Sequence, residues 1–361
     1  MDSDRRPRLT PSIADVRRAV RELISHLQNS GNLSASGAET AQSDGIEEQG
    51  PEFWKSALVL VALSGGPDSL ALSAATAFEA PRAGLRVGAV IVDHALQPGS
   101  ADVAERTAAQ ARALGLDPVV VRAVAVGSAG GPEAAARYAR YSALDAVGAE
   151  TAAAMVLLGH TLDDQAETVL LGLARGSGPT SLHGMSPVTT SETGVRYARP
   201  LLGVRRATTL QFCVDLGLAP WIDPQNSDST FARVRVRNEV LPLLERELGP
   251  GIAEALARTA EQLREDSDAL DHFAAEIAEE LADLAESGIS LPVRALATNP
   301  AALRQRLIRL AVESEFHVTL NRSQTLEVAR LVTHWHGQKA LDLPGVRVER
   351  QGGLLIFSAN G

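Results

Sequence analysis

Four short runs of almost unbroken Val, Ile, Leu and Ala lie at 57–63, 86–95, 117–126 and 154–161, separated by helix-period segments at about 70–80, 101–114, 132–148 and 163–174. Strands that are apolar on both faces need cover on both faces, and a strand–helix–strand alternation supplies it. The chain is therefore expected to form an α/β domain around a parallel sheet. "YARPLL" at 197–202 predicts a further strand, with a helix near 204–217.

The alternation stops after "LGLAPWIDPQNSDST". Residues 233–249, 251–286, 300–315 and 321–335 read as helices, the second with Leu256, Leu263, Leu270, Phe273, Ile277, Leu281 and Leu284 along one stripe. The tail "KALDLPGVRVERQGGLLIFS" reads as short strands with a turn at Gly352-Gly353. Before the sheet, residues 10–28 place Ile13, Val16, Val20, Leu23, Ile24 and Leu27 at helical spacing, and a polar Gly/Ser-rich insertion occupies 29–54. The expected organisation is an N-terminal helix with a flexible insertion over 1–54, a sheet domain over 55–218, and a mostly helical domain with terminal strands over 219–361.

Cys213 is the lone cysteine, which excludes an intrachain disulfide, a Cys-x-x-Cys zinc site and a two-cysteine redox cycle. No apolar run reaches the ~18 residues of a membrane span, and the start "MDSDRRPRLTPS" has no apolar signal core, so a cytoplasmic protein with no membrane partner is expected. Lys+Arg 34 against Asp+Glu 44 leaves a net charge of −10, so any nucleic-acid contact must rest on local basic patches. Whether the chain forms a homodimer stays open.

The first strand ends at Leu63 and runs into Ser64-Gly65-Gly66-Pro67-Asp68-Ser69 before the next helix. In a parallel sheet this places the turn where ligands bind, beyond the C-terminal strand ends. Gly65 and Gly66 permit close approach of backbone N–H groups to an anion, and the helix N-terminus adds about half a positive charge. A phosphate is the natural occupant. The Gly-x-x-x-x-Gly-Lys pattern and the Gly-x-Gly-x-x-Gly pattern are both absent here. An aspartate inside a phosphate cradle would repel its ligand unless a divalent cation lies between them, so Asp68 implies Mg²⁺.

"SGGPDS" in this setting resembles the pyrophosphate-binding loop of the N-type ATP pyrophosphatases, whose fold is Rossmann-like (adenine nucleotide α hydrolase-like). Further segments resemble one branch of that family, the tRNA(Ile)-lysidine synthetases: "VDHALQPGSADVAE" (92–105), "EAAARYARYSAL" (133–144), "LGHTLDDQAETVLLGLARGSGPTSLHGM" (158–185), "RPLL" (199–202) and "WIDPQNSDSTFARVRVRNEVLPLL" (221–244). The resemblance covers most of 57–244; beyond residue 244 it extends only to the outline of the helices and terminal strands.

It implies that Ser64, Gly65, Gly66, Pro67, Asp68 and Ser69 hold ATP, with Asp68 as the magnesium ligand and Asp93 and His94 at the edge where adenosine lies. His94 reads equally well as a locally bonded strand-end histidine. Arg137 and Arg140 stand three apart on one helix face and could meet an anion together. His160 ends a strand, Asp163 and Asp164 open a helix, and Glu167 lies one turn on. Ordinary N-capping explains Asp163, but capping does not require a histidine and three carboxylates in one crevice. A His/Asp metal site is the competing reading, with fewer nitrogen or sulfur donors than transition metals usually take. Arg175, and the clusters "RPLLGVRR" and "ARVRVRN", supply arginines; of these Arg175, Arg199, Arg205, Arg233 and Arg237, with Asp163 and Glu167, are the expected substrate-binding set, Arg206 and Arg235 being their neighbours.

The implied reaction takes place on the wobble cytidine of a tRNA(Ile) with a CAU anticodon. The cytosine C2 oxygen attacks the α-phosphorus of ATP, releasing pyrophosphate. The ε-amine of free L-lysine then attacks C2 and displaces AMP. With a pKa near 10.4, only roughly one lysine amine in a few thousand is neutral at pH 7, so a proton acceptor is needed. Asp164, with Asp163 or His160, is expected to capture the ammonium and relay its proton, and Arg137 or Arg140 to stabilise charge on the adenylate. The rivals are a tRNA thiolase on the same loop, an amidating pyrophosphatase, and a nucleotide sensor that hydrolyses nothing.

Overall fold

The protein is described as a computed structural model, which defines residues 9–33, 54, 56–95, 99–127, 131–176, 178–281, 283–285 and 288–360. Residues 34–53 of the expected insertion lie outside the described residues. The chain divides into two compact units, Met1–Glu261 and Gln262–Gly361. The expected breaks after 54 and after 218 both fall inside the first unit.

Six strands form the sheet of the first unit: β1 Leu58–Ala62, β2 Arg86–Asp93, β3 Val119–Ala123, β4 Met155–Leu157, β5 Val188–Thr190 and β6 Arg196–Ala198, in the order β3-β2-β1-β4-β6-β5. β1 pairs in parallel with β2 and β4, so connections part on either side of it and open a crevice at its C-terminal end. Only β5, antiparallel to β6, breaks the parallel pattern. The alternation within β1 explains the unbroken apolar run. Val59 and Val61 enter one core, Leu58 and Leu60 the other.

The helices of this unit are α1 Pro11–Leu33, α2 Pro67–Glu79, α3 Ser100–Ala113, α4 Pro132–Glu150, α5 Leu162–Ala174, α6 Pro179–Leu182, α7 Arg206–Asp215, α8 Ala232–Arg235 and α9 Leu241–Leu248. α10, Ile252–Leu281, begins in the first unit and ends in the second. α1 is part of the sheet domain's own core: Ile13, Val16, Val20 and Ile24 are buried with Leu70, Ala71 and Phe212. Burial of each such side chain contributes ~1.5–3 kcal/mol, an upper figure because unfolded chains already hide some surface. Buried Glu79 takes Arg17 at 2.6 Å and Arg21 at 3.2 Å, which pins α1 to the end of α2. Downstream, Leu241 and Ala253 pack with Leu162 and Ala166, which ties this stretch to α5.

The single helix expected over 233–249 is broken by a π-turn at Val236–Val240 between α8 and α9. Pro242 has no N–H to give to a carbonyl one turn back, which loosens the helical register. The expected helix over 251–286 stops at Leu281, and Leu284 instead sits in β7 Asp283–Ala285, opposite Ile289 of β8 Gly288–Pro292. Strand pairing there overrides helical periodicity. The second unit completes a five-stranded antiparallel sheet, β7-β8-β11-β10-β9, with β9 Leu341–Leu343, β10 Val346–Gln351 and β11 Leu354–Ala359. Three helices, α11 Val293–Thr298, α12 Ala301–Phe316 and α13 Arg322–Thr333, share its core of Leu291, Leu296, Leu307, Val328, Val348 and Phe357. Among the described residues no helix is long and apolar enough to cross a membrane.

Candidate active site

The loop after β1 is tied by one hydroxyl. Ser69 Oγ accepts the Ser64 N–H at 3.2 Å, donates to the Gly66 carbonyl at 3.1 Å, and lies 3.1 Å from Ser64 Oγ. Pro67 opens α2 at a position where the missing N–H costs nothing. Gly65 has φ +85°, and a Cβ there would stand 2.6 Å from Thr107 Oγ1. From the other side the loop after β4 closes in: a Cβ on Gly159 would lie 3.0 Å from the Ser69 nitrogen. That glycine lets His160 and Thr161 come up beside the Ser64–Ser69 loop. The Trp221 N–H donates to the Gly65 carbonyl at 2.8 Å, which holds the 221 segment to the same loop.

An acid–arginine network lies under the loop. Thr161 caps α5 in a reciprocal box with Asp164, whose Oδ2 accepts the Thr161 N–H and hydroxyl, both at 2.8 Å. Asp164 Oδ1 accepts from Arg206 Nη2 at 2.7 Å and Arg237 Nη2 at 3.3 Å. Burial pushes the Asp164 carboxyl up, but Arg206, the Thr161 bonds and His160 outweigh it and hold the group below its ordinary range. Glu167 is fully buried and accepts from Arg206 Nη1 at 3.1 Å and from Arg237 Nε and Nη2 at 2.7 and 3.0 Å, with Arg233 Nε at 3.8 Å. Asp163 Oδ2 accepts the backbone N–H of Arg206 at 2.7 Å, a cap given to α7 from a distant part of the chain. Arg205 stands 3.5 Å from both Asp163 and Glu254.

Asp68, the first acidic residue of α2, accepts from the Thr209 hydroxyl and faces Arg206 Nε at 3.4 Å. Burial raises its pKa, the dominant effect over the lowering by Thr209 and Arg206. Burial opposes the charge on Arg206, yet Asp164, Glu167, Asp68 and Asp163 together raise its pKa. Arg206 is therefore the hub that joins the loop, α5 and α7. In the sequence it is one arginine among several; nothing local marks it, because its partners lie 39 to 138 positions away. Thr209, one turn along α7, is equally unmarked.

A second group faces the crevice without carboxylate partners. Arg137 stands over the Tyr141 ring at 4.7 Å and Arg140 at 5.5 Å. Buried Arg199 donates to the Ser186 carbonyl at 2.8 Å and to Thr189 Oγ1 at 3.2 Å. Among the described residues none of these three arginines forms an ion pair, and Nε of Arg140 and of Arg199 has no partner, nor has Nδ1 of His94 or His160. Burial, then Arg137 and Arg233, lowers the Arg140 pKa. Burial likewise lowers His94, with Arg140 adding to it. His160 is pushed down to about 3, by burial first and then by Arg140, Arg199 and Arg137 against the pull of Asp164. Burial pushes the Tyr141 phenol up, but Arg137, Arg140 and Arg199 together bring it below its usual value. Among the described residues Arg140 and Arg199 are desolvated guanidiniums without counter-ions beside neutral imidazoles, with exposed Arg137 at their edge, a set suited to an anion.

Of the expected residues, Asp68, Asp163, Asp164, Glu167, Arg205, Arg233 and Arg237 meet in the first network, and Arg137, Arg140, Arg199, His94 and His160 in the second. Asp93 bonds locally, accepting the Ala95 N–H at 2.9 Å. Arg175 is exposed at the end of α5 and joins neither group. Cys213 is buried against the Pro67 carbonyl, and burial with the nearby Asp68 pushes its thiol up to about 12, which removes the thiolate chemistry a thiolase needs. Among the described residues no group of three or more His, Cys, Asp or Glu could hold a metal ion. The donor set fits Mg²⁺ that arrives on a triphosphate, since magnesium commonly takes one carboxylate and completes its shell with phosphates and water.

A PP-loop domain matches residues 40–244, and a TilS substrate binding domain matches 291–355. The tRNA(Ile)-lysidine synthase of Leifsonia xyli subsp. xyli is 66% identical over 302 residues, covering 83% of this chain and 90% of that protein. The enzyme of the same name from Streptomyces coelicolor is 49% identical over 355 residues, 96% of this chain and 98% of its own length. That from Thermobifida fusca is 53% identical over 306 residues, 84% and 92% of the two chains. With the phosphate loop, both residue networks and the second unit in place, the chain belongs to the tRNA(Ile)-lysidine synthase family of PP-loop proteins.

Proposed function

We propose that the protein joins the ε-amine of free lysine to C2 of the wobble cytidine of tRNA(Ile) bearing a CAU anticodon, converting ATP to AMP and pyrophosphate. The observation that carries this reading is the pairing of a lysine-free Ser-Gly-Gly-Pro-Asp-Ser turn with three arginines that, among the described residues, lack carboxylate partners across the same crevice. In the first step the loop amides and the α2 N-terminus take the β- and γ-phosphates, and Ser64 and Ser69 hydroxyls orient them. Asp68 would hold Mg²⁺, which offsets phosphate charge. Arg137, Arg140 and Arg199 neutralise the α-phosphate while the cytosine C2 oxygen bonds to phosphorus and pyrophosphate leaves. The splayed cytidine enters from a single-stranded loop, where bases are accessible.

In the second step the lysine nitrogen bonds to C2, and the C2–O bond to AMP breaks. Asp164 has both oxygens committed to Thr161, Arg206 and Arg237, so its part is to orient the site and attract the ammonium. His160 is the better proton acceptor, being neutral with a free Nδ1. Burial is the first cause of its low basicity; the smaller share that comes from Arg140, Arg199 and Arg137 is relieved when phosphate neutralises them. Incubating the protein with ATP, Mg²⁺, labelled lysine and a CAU-anticodon tRNA(Ile) transcript tests the proposal. Label should enter the RNA only when ATP is present; label-free RNA would reject it.

A further inference from the structure

A second cavity lies between the end of β3 and α4. It measures about 670 Å³ and is lined by Arg122, Val124 and Ala125 after and within β3, and by Ala135, Tyr138, Ala139 and Ser142 of α4. The volume is within the range of pockets that hold small organic groups. Its floor is mostly alanine and therefore apolar. Tyr138 stands 77% exposed at its edge, an aromatic ring left in water. Arg122 gives one Nη to Glu150 at 2.5 Å, while its Nε has no partner.

The geometry of α4 links this cavity to the crevice. At 3.6 residues per turn Ala135, Ala139 and Ser142 fall on one side of the helix, Arg137 and Tyr141 on another, and Tyr138 on the ridge between them. A flat π-face at the edge of an apolar floor, with the Arg122 guanidinium lining the same cavity, matches an unpaired nucleobase.

We infer that Tyr138 is a stacking platform for the anticodon nucleotide next to the wobble cytidine, with its base edge toward Arg122 and Ser142. This rests on the RNA substrate of the proposed function. The platform would hold the neighbour while the cytidine is turned into the crevice. Adenine of ATP is the other base the cavity could take, and the test below separates the two.

The test uses the full chain with CAU-anticodon tRNA(Ile) transcript and compares Tyr138→Ala, Tyr138→Phe and Tyr138→Trp. Loss of one base stack should raise the KM for tRNA about five- to 150-fold in the alanine variant. The KM values for ATP and lysine should stay within about twofold, and the two aromatic variants should keep tRNA affinity. In parallel, 2-aminopurine at the nucleotide beside the wobble position should be quenched by the parent protein and not by Tyr138→Ala. Unchanged tRNA KM with unchanged quenching overturns the inference, and so does a rise confined to ATP, which would place adenine in the cavity. If the parent protein forms no lysidine at all, the proposed function fails, and the 2-aminopurine signal still decides whether Tyr138 stacks a base.

Discussion

Replacing Arg206 by methionine removes a guanidinium that reaches Asp68, Asp164 and Glu167 at 3.4, 2.7 and 3.1 Å. The hydrocarbon part of the side chain is kept, so the loss is of charge and hydrogen bonds. Breaking a buried ion pair from one side costs about 3–5 kcal/mol, because the orphaned charge stays behind. Here the side chains of Arg206 and Asp164 are 19% and 11% exposed, and Arg237 still reaches both Asp164 and Glu167, so the lower end, ~3 kcal/mol at neutral pH, is expected. For a unit of this size that is a fall in Tm of roughly 6–12 °C. The pH dependence has a definite sign. Asp164 has a depressed pKa in the parent, so its stabilisation is present above the unfolded carboxylate range and lost only as pH falls through the folded value. In the variant the same carboxyl titrates higher and can take a proton at mildly acid pH. The gap between parent and variant should therefore be full at pH 7.5 and narrow toward pH 5. Urea denaturation of both proteins at the two pH values measures it. A gap under about 0.5 kcal/mol at pH 7.5, or one that widens in acid, would refute the hub assigned to Arg206.

Gly65→Ala forces a side chain into φ +85° against Thr107, and should raise the KM for ATP at least about tenfold while tRNA binding holds; steady-state kinetics reads this. Asp164→Asn should abolish lysidine formation with ATP affinity within about twofold, as followed by labelled-lysine incorporation and nucleotide titration. His160 titrates near 3 in the fold against 6.5 unfolded, so the unfolded chain binds its proton first and stability falls as pH drops below about 6.5. His160→Gln should remove up to about one proton's worth of that slope, ~1.4 kcal/mol per pH unit, between pH 6 and 4 in urea titrations.

The sheet was legible because its strands are apolar on both faces, and the Ser64–Ser69 turn between β1 and α2 because its residues are consecutive. β4 is shorter than its apolar run, since Leu158–Thr161 leave the sheet to bring His160 to the loop. α1 read as an appendage because periodicity shows an apolar face without naming what covers it; Phe212 and Leu70 do so from far along the chain. The hairpin at β7 and β8 was hidden because Leu284 extends the helical stripe, and only pairing with Ile289 decides otherwise. Asp163 and Asp164 were readable as helix-opening acids. Their division of labour was not: one caps a helix 43 residues on, the other closes its own capping box. Arg206 illustrates the general limit. Long-range charge convergence leaves no local pattern, so motif spacing locates the acids and misses the cation that binds them.

The central claim is that the Ser64–Ser69 cradle holds ATP so that an RNA base oxygen attacks its α-phosphorus. The direct measurement supplies ATP labelled at the α-phosphate, Mg²⁺ and CAU-anticodon tRNA(Ile), with lysine withheld. Label should appear on the RNA as an adenylate and leave as AMP once lysine is added. Pyrophosphate released equally without RNA, or RNA that stays unlabelled while lysidine still forms on complete mixing, would contradict it.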